Sequence, residues 1–340
     1  MDDVSMEILG SDLRCFAVRI ITKSAGEISS ETIPVNSLGV YLSTLDDDKK
    51  AKLWTLIDNI AAKRSNILNL DFQDTIIQGV LNVTPDSFSD GGKFADPNSA
   101  IKQAQEMIDA GCDILDIGGE STKPGAEPVS IDEELNRVIP VIQKISDLKI
   151  NVSIDSRNAD VMEAAVKEGA HIINDVSAIE HDPKAIEVLK ETDVPVILMH
   201  AQGTPENMQD NPNYQNAVLE IYDYLESRIE FCVANGIDKN RIIIDPGIGF
   251  GKTVDHNIEL IKHVAIFHGL GVPILIGVSR KSFIGKISGE EIAANRLPGS
   301  LSAAQYCVQN GVQVVRVHDV PETVQAISVF KKIRHIKDNF

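Results

Sequence analysis

Long hydrophobic runs are missing from this 340-residue chain; none approaches the roughly 20 apolar residues that a membrane-spanning helix needs. The opening MDDVSMEILG has no basic start followed by an apolar stretch, so no secretory signal is expected and a cytoplasmic protein is the default. Cysteine is scarce and scattered. Cys15, Cys112, Cys232 and Cys307 form no CxxC pair, which argues against a disulfide framework or a cysteine metal site and suits a reducing compartment. Positive charge is short too: 32 Lys and Arg stand against 50 Asp and Glu, a net charge of −18. A nucleic-acid groove or an anionic membrane surface is therefore excluded as the expected partner. A small anionic substrate stays open, because a local basic cluster can override the global field.

What the chain does hold is enough apolar residue, 43%, for a full core. Residues 1–75 stand apart. "RCFAVRIITK" reads as a strand and "DDDKKAKLWTLIDNIAAKRS" as an amphipathic helix with an acidic start and a basic end. A small α+β extension of unknown role is expected there. From residue 76 to 340, short apolar runs alternate with helical patterns. The runs are 76–83, 113–118, 150–155, 171–176, 194–199, 241–246, 272–278 and 312–318. Helices are expected at 96–111 and 130–145, the second opening on Ser130 and Glu133 at capping-box spacing. Eight strands, each followed by a helix, over about 260 residues predict an α/β fold of the (β/α)8 TIM-barrel type. A doubly wound open sheet is the alternative to that count.

Almost every predicted strand ends in a polar residue: Asn82, Asp116, Asp155, Asn174, His200, Asp245, then Ser279, Arg280 and Lys281, then Arg316 and His318. One such Asp or Asn alone most often caps the next helix, and a lone Lys or Arg is most often solvated. Caps do not account for Lys, Arg and His after strands seven and eight, where barrels of this kind often bind phosphate. An anion at that side of the mouth is the expectation, with Arg316 and His318 alternating onto one strand face. Asp155, Asn174 and Asp245 suit a flat, nitrogen-rich ring, with Met199 and Phe250 available to pack on its faces. "DPGIGFGKT" ends like a phosphate-binding P-loop, but Pro246 occupies the place of the first required glycine, and that reading is rejected.

Taken together, "GVLNVTPDSFSDGG", "DILDIGGESTKPGA", "SIDSR", "INDVS", "LMHAQGTP", "DPGIGFGKT", "GVSRKSFIG" and "RVHDV" resemble, in order and at all eight strands, the dihydropteroate synthase family of pterin-binding enzymes. The resemblance covers about residues 76–335. It implies that p-aminobenzoate displaces pyrophosphate from 6-hydroxymethyl-7,8-dihydropterin diphosphate, giving 7,8-dihydropteroate in folate synthesis. It implies Mg2+ on the diphosphate, sulfonamide inhibition and a homodimer. By position, Asn82 would hold the metal and diphosphate. Asp155, Asn174, Asp245 and Lys281 would line the pterin pocket, with Met199 and Phe250 against the ring. Arg316 and His318 would bind the diphosphate, and Thr122, Lys123, Pro124 and Ser279 would surround the aminobenzoate.

Phe88 would belong to a first mobile loop, and Asp116 would stand at the start of a second. Lys123 replaces an arginine found in many relatives, which keeps the charge but not a bidentate contact. Asp86 and Asp90 are further candidates near the reacting carbon. The two loops, 84–92 and 118–128, are expected to close over the diphosphate before aminobenzoate binds. Two other readings fit parts of the pattern: a pterin-binding methyltransferase, which needs no diphosphate site, and a catalytically silent pterin binder.

Overall fold

The eight apolar runs pair side by side in a computed structural model that describes residues 3–11, 14–24, 26–84, 97–121, 129–203 and 207–334. In chain order the strands and helices of the larger unit are β4 (Ile76–Asn82), α3 (Pro97–Asp109), β5 (Ile114–Gly118), α4 (Ile131–Ile145), β6 (Asn151–Asp155), α5 (Ala159–Lys167), β7 (Ile172–Asp175) and α6 (Ala185–Thr192). They continue with β8 (Val196–Met199), α7 (Ala217–Ala234), β9 (Ile242–Asp245), α8 (Val254–Lys262), β10 (Leu275–Ile276), α9 (Ser282–Ser288), α10 (Leu297–Gln309), β11 (Val314–Val317) and α11 (Val320–Arg334). Every pairing in the order β10-β11-β4-β5-β6-β7-β8-β9 is parallel. A bridge between Ile244 and Ile274 joins the two ends, so the sheet closes into the (β/α)8 barrel that the sequence predicts.

Strand periodicity of two sets the interior in layers. The lowest layer is apolar: Ile76, Ile114, Ile172, Ile197, Ile243, Leu275 and Val314 form one buried cluster. Ile67, Leu70 and Phe72 join that cluster and seal the floor, although the sequence reading assigns them to the extension. The alternate, outward residues such as Leu115, Ile117, Val152 and Ile154 are fully buried against the helix ring. Each such side chain contributes about 1.5–3 kcal/mol relative to exposure.

Local signals fix the helix ends. The Ser130 side chain accepts a hydrogen bond from the Glu133 backbone N–H at 3.2 Å, one half of the expected capping box.

Upstream lies an antiparallel sheet of β1 (Asp3–Ser11), β2 (Arg14–Ser24) and β3 (Glu27–Pro34), followed by α1 (Leu38–Ser43) and α2 (Asp47–Ala61). Met6, Val18, Ile20, Ile33, Leu42, Leu53 and Leu56 make its own core. Asn59 and Arg64 donate to the carbonyls of Gly269 and His268 at 2.7 and 3.0 Å, and Lys23 pairs with Asp223 at 2.9 Å. The 264–270 turn precedes β10, so the unit docks at the floor end of the barrel, away from the strand C-termini.

Candidate active site

Above the floor the inward residues turn polar. In register across neighbouring strands stand Asn82, Gly118, Asp155 and Asn174, and one layer below them Val80, Asp116 and Ser153. Asn82 Oδ1 and Asp155 Oδ2 both lie 3.7 Å from the point where a side chain on Gly118 would begin, so the two flank one small gap.

Asp116 differs from expectation. It lies inside β5, two residues before the strand ends, and it is fully buried rather than at the start of a loop. Its carboxylate accepts from Ser153 Oγ at 2.5 Å, from Asn174 Nδ2 at 3.1 and 3.3 Å, and from Arg316 Nε at 2.6 Å. Four donor contacts on one carboxylate make such burial tolerable, since an unpaired one costs several kcal/mol. Below it Gln78 donates to Ser153 at 3.1 Å.

Arg316 also donates through Nη2 to Asp155 Oδ2 at 2.6 Å. Two of its five N–H bonds are thereby committed, which holds the planar fork in place and leaves three to offer. Burial works against the Arg316 cation, but Asp116 and Asp155 overrule it and keep it charged. Burial pushes the Asp155 carboxyl up to about 7 against the pull of Arg316.

Asp245 ends β9 and accepts from the Gly247 N–H at 2.8 Å. Burial raises its pKa, with the Gly247 bond and Lys281 opposing. Lys281 follows β10 in a turn whose Arg280 has a left-handed φ of 58°. Arg280 is paired with Asp319 through Nε at 3.0 Å and through Nη2, and its backbone N–H donates to Ser300 Oγ at 2.8 Å. The strained turn presents Ser279 and Lys281 on either side. Lys281 Nζ stands 4.1 Å from the centre of the Phe250 ring, and burial, reinforced by Arg316, brings its pKa down to about 8. Phe250 packs with Met199 and Met208.

His318 is held by Ser279, whose Oγ lies 3.1 Å from Nδ1 and accepts from the His318 backbone N–H at 3.2 Å. Burial, then Arg316, Arg280 and Lys281, lowers His318 to about 3, so the ring is neutral at pH 7. With Oγ already accepting from the backbone, its hydroxyl proton is available to Nδ1, which leaves Nε2–H as the donor.

The structure thus brings Asn82, Asp116, Asp155, Asn174, Met199, Asp245, Phe250, Ser279, Lys281, Arg316 and His318 to one end of one barrel. Phe88, Asp86, Asp90, Thr122, Lys123 and Pro124 lie outside the described residues. Part of the stem before that second segment is described: Glu120 receives Arg157 at 3.0 and 3.1 Å, and the Gly119 carbonyl accepts from Arg137 at 2.8 Å.

Sequence reasoning missed Lys252, the lysine of the rejected P-loop-like stretch. It is 2% exposed and donates to His200 Nδ1 at 2.9 Å, to the His200 carbonyl at 3.3 Å and to the Phe250 carbonyl at 2.9 Å. A glycine-rich loop can hide a lysine only if the loop folds back on it, and the glycines were the available signal. A Cβ on Gly247, which has φ 70°, would sit 1.9 Å from the His200 carbonyl oxygen.

Residues 78–318 match the family described as "Pterin binding enzyme". The dihydropteroate synthase of Escherichia coli (strain K12) is 44% identical over 272 residues, 80% of this chain and 96% of the relative. That of Bacillus subtilis (strain 168) is 45% identical over 251 residues, 74% of this chain and 85% of the relative. Among solved structures, Xanthomonas albilineans dihydropteroate synthase with 4-aminobenzoic acid superposes with a TM-score of 0.75 at 42% identity, covering 79% of this chain and 96% of that one. The Yersinia pestis enzyme with a sulfonamide drug gives 0.74 at 42% identity, covering 79% and 97%. This chain belongs to the pterin-binding enzymes and, within them, to the dihydropteroate synthase family.

Proposed function

We propose that the protein condenses 6-hydroxymethyl-7,8-dihydropterin diphosphate with p-aminobenzoate to 7,8-dihydropteroate and pyrophosphate, a step of folate synthesis. The observation that carries this is the convergence of Asp155, Asn174, Asp245 and Lys281 beside Arg316 and His318, in a barrel 44% identical to a dihydropteroate synthase over nearly that enzyme's whole length.

The pterin's guanidine-like edge suits a carboxylate, and Asp155 and Asp245 offer two, with Asn174 between donor and acceptor roles. Lys281 supplies a donor to a ring carbonyl, and Met199 and Phe250 supply apolar faces. The remaining N–H bonds of Arg316 and the Nε2–H of neutral His318 suit phosphate oxygens. Ser279 and residues 122–124 would border the aminobenzoate. Asn82 offers one hard oxygen at the mouth, and no group of three His, Cys, Asp or Glu forms a cation cage among the described residues. That donor set fits Mg2+ held largely by diphosphate oxygens and water. The ion would neutralise charge on the leaving diphosphate.

In the reaction the methylene C–O bond breaks and its electron pair leaves with the diphosphate, stabilised by Arg316 and His318. The electron-rich dihydropterin shares the positive charge left on the carbon, an SN1-like course. The aniline nitrogen then bonds to that carbon and loses a proton to a diphosphate oxygen or water. Binding is ordered in this reading, pterin diphosphate first, with residues 84–92 and 118–128 completing the aminobenzoate site. A homodimer, a cytosolic setting and sulfonamide inhibition belong to the same proposal. Cys112, Cys232 and Cys307, buried as free thiols, suit that setting.

The test is product formation. Purified protein with both substrates and Mg2+ is expected to yield dihydropteroate by mass spectrometry and pyrophosphate in equal amount. Chelation of Mg2+ or Lys281→Ala is expected to cut the rate at least a hundredfold. Absence of both products, with pterin still bound, overturns the proposal.

A further inference from the structure

His200 and Lys252 are buried, titratable and unused by the chemistry above, yet they join the two strand ends beneath the proposed ring site. The Lys252 amine lies within hydrogen-bond distance of three groups: His200 Nδ1, the His200 carbonyl and the Phe250 carbonyl. The neighbouring carbonyls are held from outside. Gln209 donates to the Gly249 carbonyl at 2.8 Å and Tyr214 to the Gly251 carbonyl at 2.9 Å. Three successive carbonyls of the loop after β9 are therefore gripped by side chains, and the middle one belongs to Phe250. His200 is itself wedged edge-on against Tyr224, with ring centres 4.8 Å apart. Gly247 and Gly251 let the loop backbone press onto residues 200–202, where a Cβ on Gly251 would lie 2.4 Å from the Gln202 carbonyl oxygen.

We propose that Lys252 is a positioning residue that clamps the loop after β9 to the end of β8 and thereby sets the height of the Phe250 ring against Lys281 and Met199. It touches no reacting atom. Its effect is on affinity for a flat heteroaromatic ring, so the inference rests on the ring-binding reading above. A ring displaced by an ångström loses dispersion contact over its whole face and moves away from the Lys281 ammonium.

The experiment compares wild type, Lys252→Met, His200→Asn and His200→Leu by pterin fluorescence titration with 6-hydroxymethylpterin, and by KM for each substrate. Lys252→Met keeps the chain length and removes all three hydrogen-bond contacts. His200→Asn keeps an acceptor close to the position of Nδ1; His200→Leu does not. Lys252→Met and His200→Leu are expected to weaken pterin binding about tenfold, with the KM for aminobenzoate within twofold of wild type at saturating pterin diphosphate. His200→Asn is expected to stay within threefold of wild type. A Lys252→Met protein that melts earlier but binds pterin as wild type does has lost stability alone, which overturns the positioning role. If Lys252→Met fails to fold, equal affinity in the His200→Leu and His200→Asn pair overturns it instead. Loss of pterin binding in wild type overturns the ring-binding reading and this one together.

Discussion

Lys281 carries a charge that moderate alkali removes. Its pKa of about 8 lies below its ordinary 10.5, so between those values the unfolded chain holds a proton that the folded protein has lost. Two opposite trends follow. Pterin affinity falls as pH rises through about 8, because the donor to the ring becomes a neutral amine. The contribution of Lys281 to folding stability rises from about pH 8 to 10.5, where the unfolded state binds more protons. Titrating pterin binding and urea midpoints of wild type and Lys281→Met across pH 7.5–10.5 checks both, and the variant should lose the part of each slope that lies above about pH 8. At this scale most proposed ligands were legible in the sequence, because polar residues at the ends of apolar runs interrupt a pattern that packing alone would continue. Asp116 was legible as polar but not as interior. Nothing in "DILDIGG" shows that Arg316, 200 residues away, and Asn174 will satisfy it. Lys252 was illegible for a related reason: a lysine in a glycine loop reads as solvated until the carbonyls around it are seen.

The barrel strands were readable as elements because short apolar-rich runs recur between helical patterns at the spacing of a βα repeat, although only "VPVILM" carries four apolar residues in a row. β10 is the least faithful, two residues where seven were expected, since Pro273 lacks a ladder N–H and Gly277 ends the run. The extension was half legible. β2 and α2 show clear patterns, while β3 is exposed at seven of its eight positions and α1 is only six residues long, so neither has a periodic signature. The segment through Ile67, Leu70 and Phe72 looked like a linker and is the floor of the barrel. Phe72→Ala should lower stability by about 3 kcal/mol through transfer and cavity terms. It should leave kcat and both KM values unchanged well below the melting temperature, since the floor lies below the polar layers. Denaturant titration and steady-state kinetics on the same preparation check this, and a changed KM would mean that the floor and mouth are coupled.

For the whole molecule, net charge and surface point in different directions. A charge of −18 keeps copies apart in general. One face nevertheless shows apolar side chains: Val329 and Ile333 on α11 are 56% and 69% exposed. This face is the candidate for the proposed homodimer. Ile333→Glu should shift the protein from dimer to monomer in light scattering coupled to size exclusion; a wild-type monomer at micromolar concentration removes the proposal. No helix among the described residues is long and apolar enough to cross a membrane. The docking of the N-terminal unit at the floor has a pharmacological consequence. Residues 1–77 lie outside the family match, and they meet the barrel at the end opposite the substrate mouth. A compound aimed at the mouth meets the part of the chain that the family match covers, so a compound meant to act outside that part is better aimed at the seam where Asn59 and Arg64 grip the 264–270 turn.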